Sequence, residues 1–314
     1  MILEDVLHSS AMKRFTGIYT PIVTPFRTDD AVDEDALRHN VQRWMKTPLT
    51  GLVVLGSNGE AAQLDDVEAD RVVEVVRAHV PAERPLIAGT GRESTKATIA
   101  ATARAAAAGV DAVLVRTPSF FKAQMTAEVF VRHYTEVADV SPVPVLLYNV
   151  SMFTGVNLHL EAVERLALHP NIVGMKESGS DIGYISEVIS RTPDDFTVLA
   201  GSATTFFHAL CAGCDGAILA LASVLPEACV RMQTLVVEQR LAEARARQHW
   251  LTPLARSVGT TYGVAGLKAA LDLTGYNGGV PRPPLRPAPP SVVETISGQL
   301  AALGAFTELS AEIH

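Results

Sequence analysis

Short apolar or β-branched runs alternate with amphipathic segments along the first two thirds of the chain. The runs predict eight strands, at 17–20, 52–55, 86–88, 112–115, 145–148, 172–176, 197–200 and 217–219. Segments with helical periodicity lie between them, at 34–45, 67–79, 95–107, 127–137, 160–168, 182–190 and 205–211. Each strand is apolar on both faces, as strands covered on both sides are, and the strand–helix units succeed one another without a break. The pattern predicts an α/β fold, a (β/α)8 barrel. A doubly wound open sheet is the alternative, but it calls for a glycine-rich turn after the first strand, and here that turn is Pro21-Ile22-Val23-Thr24-Pro25. After Val224 the strand pattern stops, and helices follow at 226–251, 263–273 and 291–303, with a glycine- and proline-rich linker at 275–290. The expected division is an N-terminal tail over 1–16, a barrel over 17–225 and a C-terminal helical domain over 226–314, of the kind that often mediates assembly.

Composition narrows the function classes. At 314 residues and 48% hydrophobic, the chain can bury a core of barrel size. A net charge of −8 gives no overall attraction for nucleic acid or anionic lipid. The most basic stretch, 240–247, is interleaved with acids and reads as a solvated helix face. The alanine-rich stretch 97–115 is interrupted by Arg104 and Asp111, so no transmembrane segment is expected. The N-terminus does not resemble a secretory signal, and three cysteines within 211–229 suit a reducing compartment, which makes the cytoplasm the expected location. Cys211-Ala212-Gly213-Cys214 has redox or metal-clip spacing but lacks a second pair, and it also reads as a helix end running through Gly213. Nine scattered histidines and no carboxylate cluster at ligand spacing argue against a metal site.

In a barrel the C-terminal strand ends converge on one mouth, where chemistry is expected. The sixth strand ends in Gly174-Met175-Lys176-Glu177-Ser178. Desolvation lowers the pKa of an amine, and a free amine attacks a carbonyl carbon to give a Schiff base. A lysine there can instead pack its stem and snorkel its head to water. The fifth strand ends at Tyr148-Asn149, which puts a phenol one strand away as a proton shuttle, or as an ordinary strand tyrosine reaching water. After the second strand comes Gly56-Ser57-Asn58-Gly59-Glu60, whose backbone N–H groups can hold a carboxylate or simply form a tight turn. Gly201-Ser202 after the seventh strand is small enough to let a substrate approach the backbone.

Gly56-Ser57-Asn58-Gly59-Glu60, Tyr148-Asn149-Val150 with Thr154-Gly155, and Gly174-Met175-Lys176-Glu177, in that order, resemble the dihydrodipicolinate synthase and N-acetylneuraminate lyase family over roughly 17–279. The resemblance implies a barrel with C-terminal helices, assembled as a homotetramer built as a dimer of dimers. It implies no cofactor and no metal: Lys176 forms the Schiff base with pyruvate or another 2-oxo acid, and an aldehyde is the second partner. Tyr148 relays protons with Ser57 bonded to it, the amides of Ser57 and Asn58 hold the carboxylate, and the backbone of Gly201 and Ile218 lines the pocket.

Two positions depart from the family pattern. Phe153 stands where dihydrodipicolinate synthases carry an arginine that grips the aldehyde's carboxylate. Phe120, in Thr117-Pro118-Ser119-Phe120-Phe121, stands where the family has a second tyrosine contributed across a subunit interface. Within the family the run 171–179, with Ser178 after the lysine, and Gly266-Leu267-Lys268 with Gly275-Tyr276 resemble 4-hydroxy-2-oxoglutarate aldolase. The expected activity is a metal-free class I aldolase of that branch; the alternatives are a dihydrodipicolinate synthase-type condensation and a degenerate barrel that binds a 2-oxo acid without turnover.

Overall fold

The computed structural model describes residues 15–304; most of the expected N-terminal tail (1–14) and residues 305–314 lie outside the described residues. Eight parallel strands close into a barrel in sequential order: β1 (Gly17–Pro21), β2 (Gly51–Val54), β3 (Leu86–Gly89), β4 (Ala112–Arg116), β5 (Val145–Asn149), β6 (Ile172–Glu177), β7 (Thr197–Ala200) and β8 (Gly216–Ile218). The barrel closes where Gly17 and Ile18 of β1 pair with Gly216 and Ala217 of β8.

The connecting helices are α1 (Glu34–Trp44), α2 (Asp66–Arg77), α3 (Thr95–Ala107), α4 (Ala127–Val140), α5 (Ser151–Thr154), α6 (Leu160–Leu166), α7 (Ile182–Arg191), α8 (Phe206–Cys211) and α9 (Leu221–Val224). Local chemistry starts them. Asp65 and Glu68 form a reciprocal capping box on α2, and Ser94, Thr126 and Asp181 each accept a backbone N–H at the start of α3, α4 and α7. Single-turn α5 and α9 were not predicted, because four residues are too few to display a period.

Strand alternation sorts the apolar residues into two shells. Tyr19, Val53, Ile87, Leu114, Leu146, Leu199 and Ile218 fill the barrel interior, while Ile18, Leu52, Val113, Val145, Leu147, Met175 and Val198 pack outward under the helices. One irregularity positions the site. Val145 pairs with Ile172 but Leu146 pairs with Gly174, so Val173 is an extra residue in β6. Counted by twos from outward-facing Ile172, Lys176 belongs on the outer face; the extra residue reverses the phase and turns it inward beside Tyr148.

After the barrel come α10 (Pro226–Val237), α11 (Leu241–Arg256), a π-helical turn (Ser257–Thr261), α12 (Gly263–Leu273) and α13 (Pro290–Ala302). The single helix predicted over 226–251 is therefore two. Gln239 adopts a left-handed φ of 58°, and the Gln239 and Arg240 N–H groups donate back to the carbonyls of Val236 and Leu235, a Schellman stop with no glycine to mark it in the sequence. Gly213, in the Cys-x-x-Cys run, makes the same stop on α8 at φ 107°, with Cys211 exposed and Cys214 buried.

Candidate active site

Lys176 and Tyr148 are register partners at the C-terminal ends of β6 and β5. The Lys176 Nζ lies 4.5 Å from the centre of the Tyr148 ring, and the Tyr148 hydroxyl is 3.3 Å from Ser57 Oγ. All three side chains line one cavity at the mouth of the barrel, together with Asn58, Phe153, Ser178, Gly201 and Ile218. Strands β2, β5, β6, β7 and β8 thus each contribute, although these residues span more than half the chain.

The loop after β2 reaches the mouth through an unusual backbone. Leu55 is buried with a left-handed φ of 56°, a conformation that costs a non-glycine residue roughly 1–2 kcal/mol. Its carbonyl turns toward β3, where a Cβ on Gly89 would lie 2.0 Å from it. Ser57 and Asn58 then open a 3-10 turn, where the first amides have no acceptor within the turn.

The turn after Lys176 is held by the neighbouring residue. Glu177 faces away from the lysine and is buried; its carboxylate accepts from Asn149 Nδ2 at 2.6 Å and from the Gly179 N–H at 2.5 Å. Burial pushes its pKa up, partly offset by those two donors. The Ser178 N–H donates to the Asn149 carbonyl and the Gly201 N–H to the Glu177 carbonyl. A Cβ on Gly201 would stand 2.2 Å from Ser178 Oγ, so only glycine lets these two strand ends close together.

A second buried lysine differs from Lys176 in how its nitrogen is used. Lys268 Nζ pairs with Glu60 at 2.6 Å and donates to the carbonyls of Thr24 and Val280, so its donors are consumed by structure. Lys176, also buried at 5% exposure, has no carboxylate partner among the described residues and lines the cavity. A buried amine without a counter-ion, beside a phenol and a hydroxyl, is equipped to condense with a carbonyl and to pass protons.

Comparison with known proteins points the same way. The Dihydrodipicolinate synthetase family model matches residues 14–302. The 4-hydroxy-tetrahydrodipicolinate synthase of Methanothrix thermoacetophila is 35% identical over 274 residues, covering 87% of this chain and 92% of that one. A dihydrodipicolinate synthase from Thermotoga maritima superposes with a TM-score of 0.88 at 32% identity, over 93% of this chain and 99% of that one. The chloride-inhibited synthase of Acinetobacter baumannii, solved with pyruvate, has a TM-score of 0.87 at 29% identity, over 92% and 99%. The chain belongs to the dihydrodipicolinate synthetase family.

As a member of the dihydrodipicolinate synthetase family the protein is a lyase of the metal-independent, Schiff-base aldolase type. The finer expectation, the 4-hydroxy-2-oxoglutarate aldolase branch, is not supported: the named relatives are synthases. Phe120, at the position where a residue is expected to be contributed across a subunit interface, lies 78% exposed in the loop after β4, edge-on to Phe121 and not in the lining of its own chain's cavity; the Glu93 carboxylate accepts the Ser119 and Phe120 N–H groups and holds that loop.

Several lining residues escaped the sequence. Met152, Thr204, Leu221, Gly259 and Thr260 all face the cavity, and the last two come from the C-terminal helices. No spacing signal links them to Lys176; only the π-helical turn, once seen, marks the place. Among the described residues no group of three or more His, Cys, Asp or Glu is placed to hold a metal, and no helix is long and apolar enough to cross a membrane.

Proposed function

We propose that Lys176 forms an imine with pyruvate or a closely related 2-oxo acid and that the protein joins it to, or splits it from, a small aldehyde. The observation that carries this reading is the inward-turned, carboxylate-free amine of Lys176 beside Tyr148. In the joining direction the amine attacks the ketone carbon and water leaves. Loss of a methyl proton then gives an enamine, whose carbon attacks the aldehyde carbon while the aldehyde oxygen takes up a proton. Water finally hydrolyses the imine, freeing the 4-hydroxy-2-oxo acid and the amine. Tyr148, backed by Ser57, would carry the protons, and the amides of Ser57 and Asn58 would hold the carboxylate.

The relatives' names favour a synthase-type condensation over 4-hydroxy-2-oxoglutarate cleavage. Against the carboxylated aldehyde of such a synthase stands the lining of the cavity, where Lys176 is the only charged residue among the described residues and Phe153 is mostly exposed. We extend the proposal to a cytoplasmic homotetramer, a dimer of dimers, in which a second copy covers the exposed Phe120–Phe121 pair; light scattering of the purified protein tests the assembly.

The function is tested by intact-mass spectrometry after incubation with pyruvate and sodium borohydride. A pyruvate-sized adduct on wild type and none on Lys176→Ala is the expected result. Turnover with pyruvate plus aspartate β-semialdehyde would establish the synthase reaction, and release of glyoxylate from 4-hydroxy-2-oxoglutarate would restore the aldolase branch. Binding of pyruvate with no adduct would favour a degenerate binding barrel.

A further inference from the structure

The C-terminal helices do more than extend the barrel, because they complete the wall of the cavity. Where α11 ends, the chain widens into the π-helical turn Ser257–Thr261, in which the Tyr262 N–H donates to the Ser257 carbonyl five residues back. Such wide turns recur at functional sites, and this one presents Thr260 to the cavity. The same helix also fixes the opposing loop. Gln248, 2% exposed on α11, accepts the Phe207 N–H at 2.9 Å and donates to the carbonyls of Ala203 and Thr204 at 3.0 and 3.3 Å. That clamp holds the segment whose Ser202 and Thr204 hydroxyls lie 2.9 Å apart on the cavity wall.

The mouth therefore has two chemically different sides. Ser202, Thr204 and Thr260 offer hydroxyls without charge, while Met152 and Phe153 are apolar and hold no donor. Neutral hydroxyl groups both donate and accept, so they suit a partner that also does both. A carboxylate needs donors only and is held best by a cation, and the one cation lining this mouth among the described residues is Lys176, the amine assigned to the imine.

We propose that Ser202, Thr204 and Thr260 form a subsite for an uncharged aldehyde carrying a hydroxyl beyond its carbonyl carbon, with the C-terminal helices as the selecting element and Gln248 as a positioning residue. The inference rests on the Schiff-base reading of Lys176 and names the aldehyde class for the same site.

The test compares kcat/KM for condensation of pyruvate with glyceraldehyde, propionaldehyde and glyoxylate. Wild type is expected to favour glyceraldehyde over propionaldehyde by roughly tenfold, the worth of a hydrogen bond or two in a site of this kind. Thr260→Val and Thr204→Val should each reduce that ratio several-fold, chiefly through the KM for glyceraldehyde. The neighbouring Thr261→Val, whose side chain does not line the cavity, should retain wild-type discrimination. Gln248→Leu should raise the KM for glyceraldehyde while leaving the apparent affinity for pyruvate in place, a split that general loss of folding does not produce.

Equal use of propionaldehyde and glyceraldehyde, a preference for glyoxylate, or unchanged ratios in both threonine variants would overturn the subsite. Absence of a borohydride-trapped pyruvate adduct on wild type would instead overturn the Schiff-base reading, and the subsite with it.

Discussion

Tyr148 and Lys176 sit directly opposite each other on β5 and β6, with the lysine nitrogen 4.5 Å from the centre of the tyrosine ring. The ring face and the phenolic hydroxyl are separable by mutation. Tyr148→Phe keeps the face that the nitrogen packs on and removes the hydroxyl that reaches Ser57. Adduct formation with pyruvate should persist, while turnover falls by about 10²- to 10⁴-fold, the range for loss of a general acid–base group. Wild-type turnover in Tyr148→Phe would exclude the phenol from the proton path.

The inward aim of Lys176 depends on Gly174. A Cβ at that position would lie 2.4 Å from the Thr197 carbonyl oxygen and 3.0 Å from a Leu146 methyl, so β6 must shift to accept one. Gly174→Val should destabilise by about 1–3 kcal/mol, as overpacking does, and should cut adduct formation beyond what the folded fraction explains. Urea denaturation and borohydride trapping on the same sample separate the two effects.

The Glu60–Lys268 pair should behave as a structural element. Both side chains are almost fully buried, and Glu60 also accepts the Arg282 N–H at 2.8 Å. Lys268→Met leaves that carboxylate unpaired, which costs about 3–5 kcal/mol when one partner of a buried pair is lost. Adding Glu60→Gln should return part of the loss, a coupling that a double-mutant cycle in urea measures.

Acid stability should carry the signature of His133. Burial between α3 and α4 pushes its pKa down to about 4, against small upward effects from Glu136 and Glu93, while Nδ1 bonds Thr95 Oγ1 at 2.9 Å. A histidine lowered in the folded state binds its proton first in the unfolded chain. Its contribution is therefore complete above pH 6.5 and is lost as pH falls from about 6.5 to about 4, amounting to roughly 3 kcal/mol at most. His133→Gln should flatten the stability profile over that window in urea titrations, and an unchanged slope would assign the acid loss to other groups.

Much of the fold was legible because each strand is covered on both sides and each helix on one, so a strand reads as a short continuous run and a helix as a stripe. β7, for example, runs Thr197–Ala200 as expected, and α3 occupies Thr95–Ala107. The break at Gln239 was hidden because a glutamine carries the left-handed turn that glycine normally signals. The C-terminal side of the mouth was hidden for a different reason. Thr260 shares a cavity with Ser202 and Thr204 because α11 packs against α8, with Gln248 gripping the loop after β7.

By itself the sequence determined that eight buried strands alternate with helices, and that one lysine and one tyrosine end neighbouring strands, since burial and period are local properties of the chain. It did not determine which way that lysine points. A strict two-residue period sends Lys176 to the same face as Ile172, under the helices; the extra residue Val173, accommodated where β6 pairs with β5, reverses the phase and delivers the amine to the cavity. Register between strands is set by packing across the closed barrel, and only the tertiary structure could decide it.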